Sequence, residues 1–186
     1  MAAPTVTVFS RPRLNAGRAA TLASNGAEGR SGMKIEISIA RSVEVPAPID
    51  RVNSLLENYE QTIRRFPKLR KLTPLGEDAF LWEMAPIGSK IANIAHQVSY
   101  AARYQVDPRN GRLSWKPVPG HGNAHIEGQF SLVDAGAATR LDFEVRGQLR
   151  EVPVPLIYRL VAPPFIQGKF TRLVDVFLEQ TRDAMS

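Results

Sequence analysis

The hydrophobic period of the chain changes near its C-terminus, and this change most limits the folds that are possible. Between residues 67 and 148, apolar and polar residues alternate over several short stretches, a pattern that predicts β-strands. Later apolar residues recur at helical spacing, and they predict one amphipathic helix that runs to about Met185: Ile166, Phe170, Leu173, Val174, Phe177, Leu178 and Thr181. Such a helix can bury its apolar face if the sheet curls and the helix lies across the concave side.

One strand and two short helices are predicted before this run. Ile35, Ile37, Ile39, Val43 and Val45 alternate with polar residues, which indicates a strand that the prolines after it end. Helical spacing then predicts a short helix over residues 49–56 and a second over residues 60–66. Turn signals lie at residues 74–78, 86–89, 107–111, 117–123 and 134–138. The fold class predicted is α+β, with a curved antiparallel meander of six to seven strands wrapped around the long C-terminal helix.

The first 32 residues differ in composition from the rest of the chain. They carry half of the formal charge of +6 and are rich in Ala, Gly, Ser and Asn, without hydrophobic periodicity. We expect residues 1–32 to be a disordered extension and residues 33–186 to be the folded domain. The extension has two interpretations: a transit-like presequence, or an upstream addition that makes Met33 the natural start.

Composition excludes several classes of site. The chain has no cysteine, which removes disulfides, thiolate metal ligands and cysteine nucleophiles. No apolar stretch reaches the roughly 18 residues of a membrane span, and no glycine-rich phosphate loop is present. His121 and His125 are four apart, but they lie in a predicted loop entering a strand, so we predict no metal and no cofactor. We expect a cytoplasmic protein, or an organellar one if the extension is a transit peptide.

The order of elements resembles the START-like (SRPBCC) superfamily, which includes polyketide cyclases and dehydrases, coenzyme Q-binding proteins and lipid-transfer domains. The resemblance covers residues 33–186 and is carried by VEVPAPIDRV at residues 43–52, FPKL at residues 66–69, GQFSL at residues 128–132 and TRLDFEV at residues 139–145. It implies the helix-grip fold and a cavity for a hydrophobic ligand. Asn53 and Ser54 stand where the family commonly has an aromatic residue. The tryptophan and cysteine signature of the coenzyme Q-binding branch is absent, which argues against placing the chain squarely in that branch.

Strand parity identifies the side chains expected on the concave face, because successive residues alternate between faces. An aromatic-rich wall results, and with one residue of the C-terminal helix it supplies nine predicted ligand-binding residues: Trp82, Met84, His96, Tyr100, Tyr104, Trp115, Phe130, Phe143 and Phe170. Side chains of these types also form ordinary cores, so the wall has two interpretations.

Arg41 is the tenth predicted ligand-binding residue. It shares the parity of Ile39 and Val43 and points inward if the strand is regular, whereas a bulge near Ala40 would turn it to solvent. A buried guanidinium needs a carboxylate, an anion or water. If it points inward, Arg41 can orient the polar end of an apolar ligand, with Tyr100, Tyr104 and His96 as further hydrogen-bond partners.

A basic patch lies between the second short helix and the next strand, and it is formed by Arg64, Arg65, Lys68, Arg70 and Lys71. Three hypotheses follow. The first, which we favour over an enzyme, is a carrier or sensor of a lipid-like, quinone or aromatic polyketide ligand. The second is an enzyme of the cyclase or dehydratase type that uses polar groups in the same cavity. The third is an interaction module whose basic patch binds RNA, a ribosome or an anionic membrane. If the third hypothesis is wrong, the patch is an ordinary solvated face.

Overall fold

The computed structural model describes residues 32–89 and 94–185. Its strands are β1 Gly32–Val45, β2 Leu69–Gly76, β3 Ala79–Met84, β4 Ile87–Ser89, β5 Ile94–His96, β6 Ser99–Asp107, β7 Arg112–Gly122, β8 Ala124–Asp134 and β9 Thr139–Pro153. Seven of them form one sheet in the order β1-β9-β8-β7-β6-β3-β2, and β4 pairs with β5 in a separate hairpin. All pairs are antiparallel. The predicted meander of six to seven strands is confirmed.

A long helix lies across this sheet. Three short helical segments follow β1, namely α1 Ile49–Val52, α2 Ser54–Glu57 and α3 Tyr59–Arg64, and the C-terminal helix α4 is Ala162–Asp183. Six of the seven residues predicted for the apolar face of α4 are buried, and Leu173 is half-buried. Pro163 and Pro164 lie in the first turn of α4, where the missing N–H groups cost no intrahelical bond. The helix-grip prediction is confirmed.

The long helix is also bonded to the edge of the sheet. Strand β1 is an edge strand, so backbone groups on its outer side have no strand partner. Gln167 of α4 fills two of these positions at Ser38: its Nε2 donates to the Ser38 carbonyl at 2.9 Å, and its Oε1 accepts from the Ser38 N–H at 3.2 Å. The amide thus imitates one residue of a neighbouring strand and fixes where α4 crosses β1.

Several details differ from the sequence prediction. Residues 86–89 were predicted as a turn, but Ile87–Ser89 form strand β4. The first predicted helix is divided at Asn53, where the Ser54 hydroxyl donates to the Arg51 carbonyl at 2.8 Å and competes with helical pairing. Residues 117–123, predicted as a turn, continue strand β7 as far as Gly122. Five steps along β7, from Pro117 to Gly122, match two along β6, so three extra residues form a bulge.

Two sequence predictions concern the N-terminal extension and the possibility of a membrane span. The predicted disordered extension lies outside the described residues except for Gly32, which begins β1. Within the described ranges, no helix is long and apolar enough to cross a membrane.

Candidate functional site

A cavity lies between the concave face of the sheet and α4. Side chains from several strands and helices enclose it, and every one is aliphatic, aromatic or methionine: Ile37, Ile39, Ile63, Phe66, Trp82, Met84, Tyr100, Tyr104, Trp115, Ile126, Phe130, Phe143, Val145, Phe170, Val174 and Phe177. Its volume is about 60 Å³. A water needs at least about 10–15 Å³ by this measure, and drug-sized ligands occupy pockets of roughly 300–1,000 Å³. In this conformation the cavity therefore has room for a few waters or a small chemical group.

Aromatic rings in mutual contact form most of the wall. The indole of Trp82 stacks on the Tyr100 ring with centroids 5.5 Å apart and planes 17° apart. On the other side, Phe130 and Phe143 meet edge to face at 4.9 Å. Phe177 of α4 lies 5.8 Å from the Phe130 ring, which joins the helix to the sheet. Offset and edge-to-face pairs of this kind each contribute about 0.5–1.5 kcal/mol beyond area burial.

A glycine determines the position of the second tryptophan. Gly128 of β8 lies opposite Trp115 of β7, and a Cβ at this glycine would be 2.4 Å from the indole ring. No real Cβ contact is that short, so the ring occupies the space that a side chain would take. The missing side chain lets Trp115 lie against the backbone and line the cavity.

The few polar groups of the cavity wall can each donate a hydrogen bond. The indole Nε1 of Trp82 is buried and makes no hydrogen bond of good geometry in the described part of the chain, although the Tyr104 hydroxyl lies near enough to interact with it. Leaving a buried donor unpaired costs about 1–3 kcal/mol. Burial raises the pKa of the Tyr100 and Tyr104 phenols well above its ordinary value of 10.0, so both keep their protons at neutral pH. The wall is therefore suited to an apolar molecule that carries a hydrogen-bond acceptor.

No family model matches the chain, and no curated protein matches it. Among solved structures, a START superfamily protein from Mycobacterium smegmatis aligns with 80% of this chain and 99% of its own, at 14% identity and a TM-score of 0.54. A protein from Thermus thermophilus aligns with 81% of this chain and 99% of its own, at 20% identity and a TM-score of 0.52. The chain has the START-like fold. Norcoclaurine synthase of Thalictrum flavum, a mutant in complex with a transition-state analogue, aligns with 83% of this chain and 99% of its own, at 15% identity and a TM-score of 0.50. These neighbours establish the fold, as the resemblance in sequence predicted.

Eight of the ten predicted site residues lie together in the cavity of this START-like fold: Trp82, Met84, Tyr100, Tyr104, Trp115, Phe130, Phe143 and Phe170. Two others, Arg41 and His96, are not part of its lining. The prediction missed Phe66 and Phe177, whose rings are 5.2 Å apart and close the wall between α3 and α4. Phe177 follows the nominated Phe170 by seven residues on the same helical face, and this spacing was the available signal.

Arg41 lies outside the cavity although the strand is regular around it. Residues 40–43 of β1 pair with β9 without a register shift, so no bulge turns Arg41 away. Because β1 is the edge strand, the long side chain reaches sideways past the sheet, and its Nε donates to Asp175 Oδ1 of α4 at 2.8 Å. Both side chains are exposed, at 41% and 44%. The predicted inward anchor is thus corrected to a helix-to-strand ion pair whose carboxylate partner is Asp175.

His96 is buried elsewhere in the START-like fold. The sequence prediction placed it on one strand with Tyr100, but the chain leaves the strand at residues 97–98, and His96 pairs with Ile87 in the hairpin of β4 and β5. The Asn123 side chain fills the break, since it accepts from the Ser99 N–H and donates to the Gln97 carbonyl. His96 is 7% exposed, and its Nε2 has no partner in the described residues. Burial lowers its pKa, against a smaller opposing effect of Glu151.

The basic patch is partly compensated by acidic neighbours. Arg64 forms an ion pair with Glu60 at 2.6 Å, one helical turn earlier. Lys71 Nζ lies 3.8 Å from a carboxylate oxygen of Glu83 on the paired strand. Lys68 Nζ donates to the Pro86 carbonyl at 3.0 Å, so the patch adjoins the start of the hairpin formed by β4 and β5.

Proposed function

We propose that the chain binds a hydrophobic small molecule in the cavity between sheet and helix and acts as a carrier or sensor. The observation that carries this proposal is the buried Nε1 of Trp82, which makes no hydrogen bond of good geometry to any described residue, in a wall that is otherwise aliphatic and aromatic. An acceptor such as a carbonyl or ether oxygen would satisfy that donor, while the rest of the ligand packs against the rings. Lipid-like molecules, quinones and aromatic polyketides share this chemistry.

The volume of the cavity adds a condition to the proposal. A space of about 60 Å³ does not hold a quinone or a fatty acid, so binding requires that wall residues move apart. The contact between Phe66 and Phe177 joins the end of a six-residue helical segment to the long helix, and both rings line the cavity. Separation of these two rings would enlarge the cavity without breaking the seven-stranded sheet. We expect ligand binding to shift a population toward this open form.

The lining supports holding a ligand more than transforming it. General acid and base catalysis needs a group that gives a proton and one that takes it. Among the described residues that line the cavity there is no carboxylate, imidazole or amine. Burial raises the pKa of the two phenols, so both stay protonated and neither is available as a general base. The alternative, an enzyme of the cyclase or dehydratase type, predicts that a bound ligand is converted to a product. We do not expect this conversion, and mass analysis of a recovered ligand would reveal a product if it occurred.

The first test is native mass spectrometry of protein purified from its own source organism, before and after extraction with organic solvent. A mass that disappears on extraction would support the proposal and identify the ligand class. A single unliganded mass, together with no uptake from a panel of fatty acids, quinones and flavonoids, would contradict it.

A second test uses the two tryptophans of the chain, Trp82 and Trp115, which both line the cavity and make intrinsic fluorescence a direct reporter. Trp82→Phe removes the unpaired N–H and should weaken binding of a carbonyl ligand by about 3–10-fold, the effect of one neutral hydrogen bond. Trp115→Phe is the matched control, because within the described residues its indole nitrogen is not among the buried atoms that lack a partner. Equal losses in both variants would contradict the assigned role of the Trp82 N–H.

A further inference from the structure

Six residues between β9 and α4 form an exposed apolar segment, residues 156–161. Leu156 is 59% exposed, Ile157 81%, Leu160 92% and Val161 54%. The segment begins with a single 3₁₀ turn, Leu156–Tyr158, and it contains one arginine and no acidic residue. Four large apolar side chains directed to solvent within six residues do not stabilise this domain.

The clustering distinguishes this apolar segment from ordinary surface exposure. The other large apolar residues exposed in the described part of the chain are Leu75 at 41% and Val133 at 37%, which are on different strands. Isolated residues of that kind are common on protein surfaces, whereas a contiguous apolar group marks a contact with a partner or a membrane.

The basic patch lies at the same end of the sheet as the apolar segment. Every neighbouring pair in the sheet is antiparallel, so β9 and β3, which are four places apart in the strand order, run in the same direction and end at the same end of the sheet. The start of β1 lies opposite the end of β9, with Gly32 facing Pro153, and the start of β2 lies opposite the end of β3, with Leu69 facing Met84. The apolar segment follows the end of β9, and the basic patch surrounds the start of β2. The hairpin of β4 and β5 connects the two regions, because β4 contacts α4 and Lys68 bonds to Pro86.

We propose that the apolar segment inserts into the interfacial region of an anionic lipid bilayer, with the exposed Lys68 and Arg70 of the basic patch facing lipid phosphates. Apolar side chains beside cations are the combination that binds such a surface, since burial and electrostatic attraction add. A specific protein interface uses roughly 20–30 residues of each partner, whereas the apolar segment has only six. RNA would match the cations but leave the apolar side chains in water. Membrane binding by the apolar segment does not depend on what the cavity holds.

The experiment is flotation of the full chain with vesicles of phosphatidylcholine alone or mixed with phosphatidylserine. The test variant is the double substitution Ile157→Ser and Leu160→Ser, which preserves charge. Since each of these side chains is largely exposed, the midpoint of thermal unfolding should not change. Loss of two inserted side chains should reduce partitioning on the order of 100-fold. Leu75→Ser is the matched control, because Leu75 lies near the opposite end of the sheet and its substitution should have no effect.

Binding of the wild type to mixed vesicles, weak binding to phosphatidylcholine alone and loss of binding in the double variant would support the proposal. Equal binding by the wild type and the double variant would overturn it, as would an absence of vesicle binding. Two alternative partners of the apolar segment and the basic patch, a second copy of the chain and RNA, would each give a different result, and either result would overturn the proposal. A dimer in sedimentation that the double variant dissociates would identify a second copy as the partner. Salt-dependent RNA binding that the double variant retains, without vesicle binding, would identify RNA.

Discussion

Phe177→Ala is the substitution that tests the packing of helix on sheet most directly. Phe177 is 2% exposed and lies on α4, and its ring contacts those of Phe66, Phe130 and Phe143 at 5.2, 5.8 and 6.3 Å. It therefore joins the C-terminal helix to the end of α3 and to strands β8 and β9. It also lines the cavity, so its removal changes both stability and binding space.

The expected loss in the free energy of unfolding is about 3–5 kcal/mol, the usual cost of truncating a buried phenylalanine to alanine. A domain of this size typically has about 5–15 kcal/mol in total, so the variant should remain mostly folded. The void left by the ring is of benzene size, on the order of 100 Å³, and it adjoins the existing space. An apolar void of this kind binds small aromatic molecules. At a free benzene concentration of about 100 times Kd, binding should restore about 2.7 kcal/mol.

The assay is urea unfolding of the wild type and the variant, with and without benzene. Phe165→Ala is the matched control on the same helix, because Phe165 is only half-buried and contacts the Lys169 ammonium from outside the cavity lining. It should lose clearly less stability and show no gain with benzene. A loss below about 1 kcal/mol for Phe177→Ala, or no stabilisation by benzene, would refute the described position of α4.

Four other substitutions concern single polar groups. Thr139→Val should lower the free energy of unfolding by about 1–3 kcal/mol, because the fully buried hydroxyl donates to the Ala47 carbonyl at 2.8 Å. Thr73→Val, where the buried hydroxyl has no partner in the described residues, should be neutral or stabilising in the same urea titration, and equal losses would contradict both assignments. Asp175→Asn should cost at most about 1 kcal/mol, since both members of its ion pair are exposed, and a larger loss would indicate a buried pair. Burial lowers the pKa of His96 below its ordinary value of 6.5, so the unfolded chain takes up the proton first and the stability falls as pH decreases below about 6.5. His96→Phe should remove this part of the pH dependence of urea unfolding, and an unchanged slope would exclude His96 as its source.

The sequence was sufficient to predict the fold because parity and period report directly on burial. Within the run from 98 to 106, the even-numbered residues are buried or half-buried, and the charged Arg103 between them is exposed. The prediction failed where local pairing is irregular. The bulge of β7 between Pro117 and Gly122 has the same prolines and glycines as a turn, and only its neighbour β6 shows that pairing resumes after it.

The site could be predicted less completely, for two physical reasons. Parity shows which face a residue occupies but not its position within the sheet, so Arg41 on an edge strand could reach Asp175 instead of the cavity. Parity also fails across a break, as at His96, whose strand ends before β6 begins. Residues of the inner strands lie neither at the edge of the sheet nor beyond a break in the strand. This explains why the tryptophans and tyrosines of β3, β6 and β7 lie in the cavity wall, where parity predicted them.

The packing of these rings links the stability of the domain to its proposed function. The aromatic contacts that close the cavity also hold α4 on the sheet, so a ligand that enters must replace contacts that it first disrupts. Its apparent affinity equals the affinity of the open form multiplied by the fraction of molecules that are open, so a small open fraction weakens binding. Substitution at the junction of Phe66 and Phe177 should therefore change stability and apparent affinity in opposite directions. Phe66→Leu, which weakens the junction but keeps it apolar, should lower the free energy of unfolding and tighten binding of a bulky ligand. If the free energy of unfolding and the affinity for the ligand both decrease, the two rings contact the ligand directly and do not control its entry.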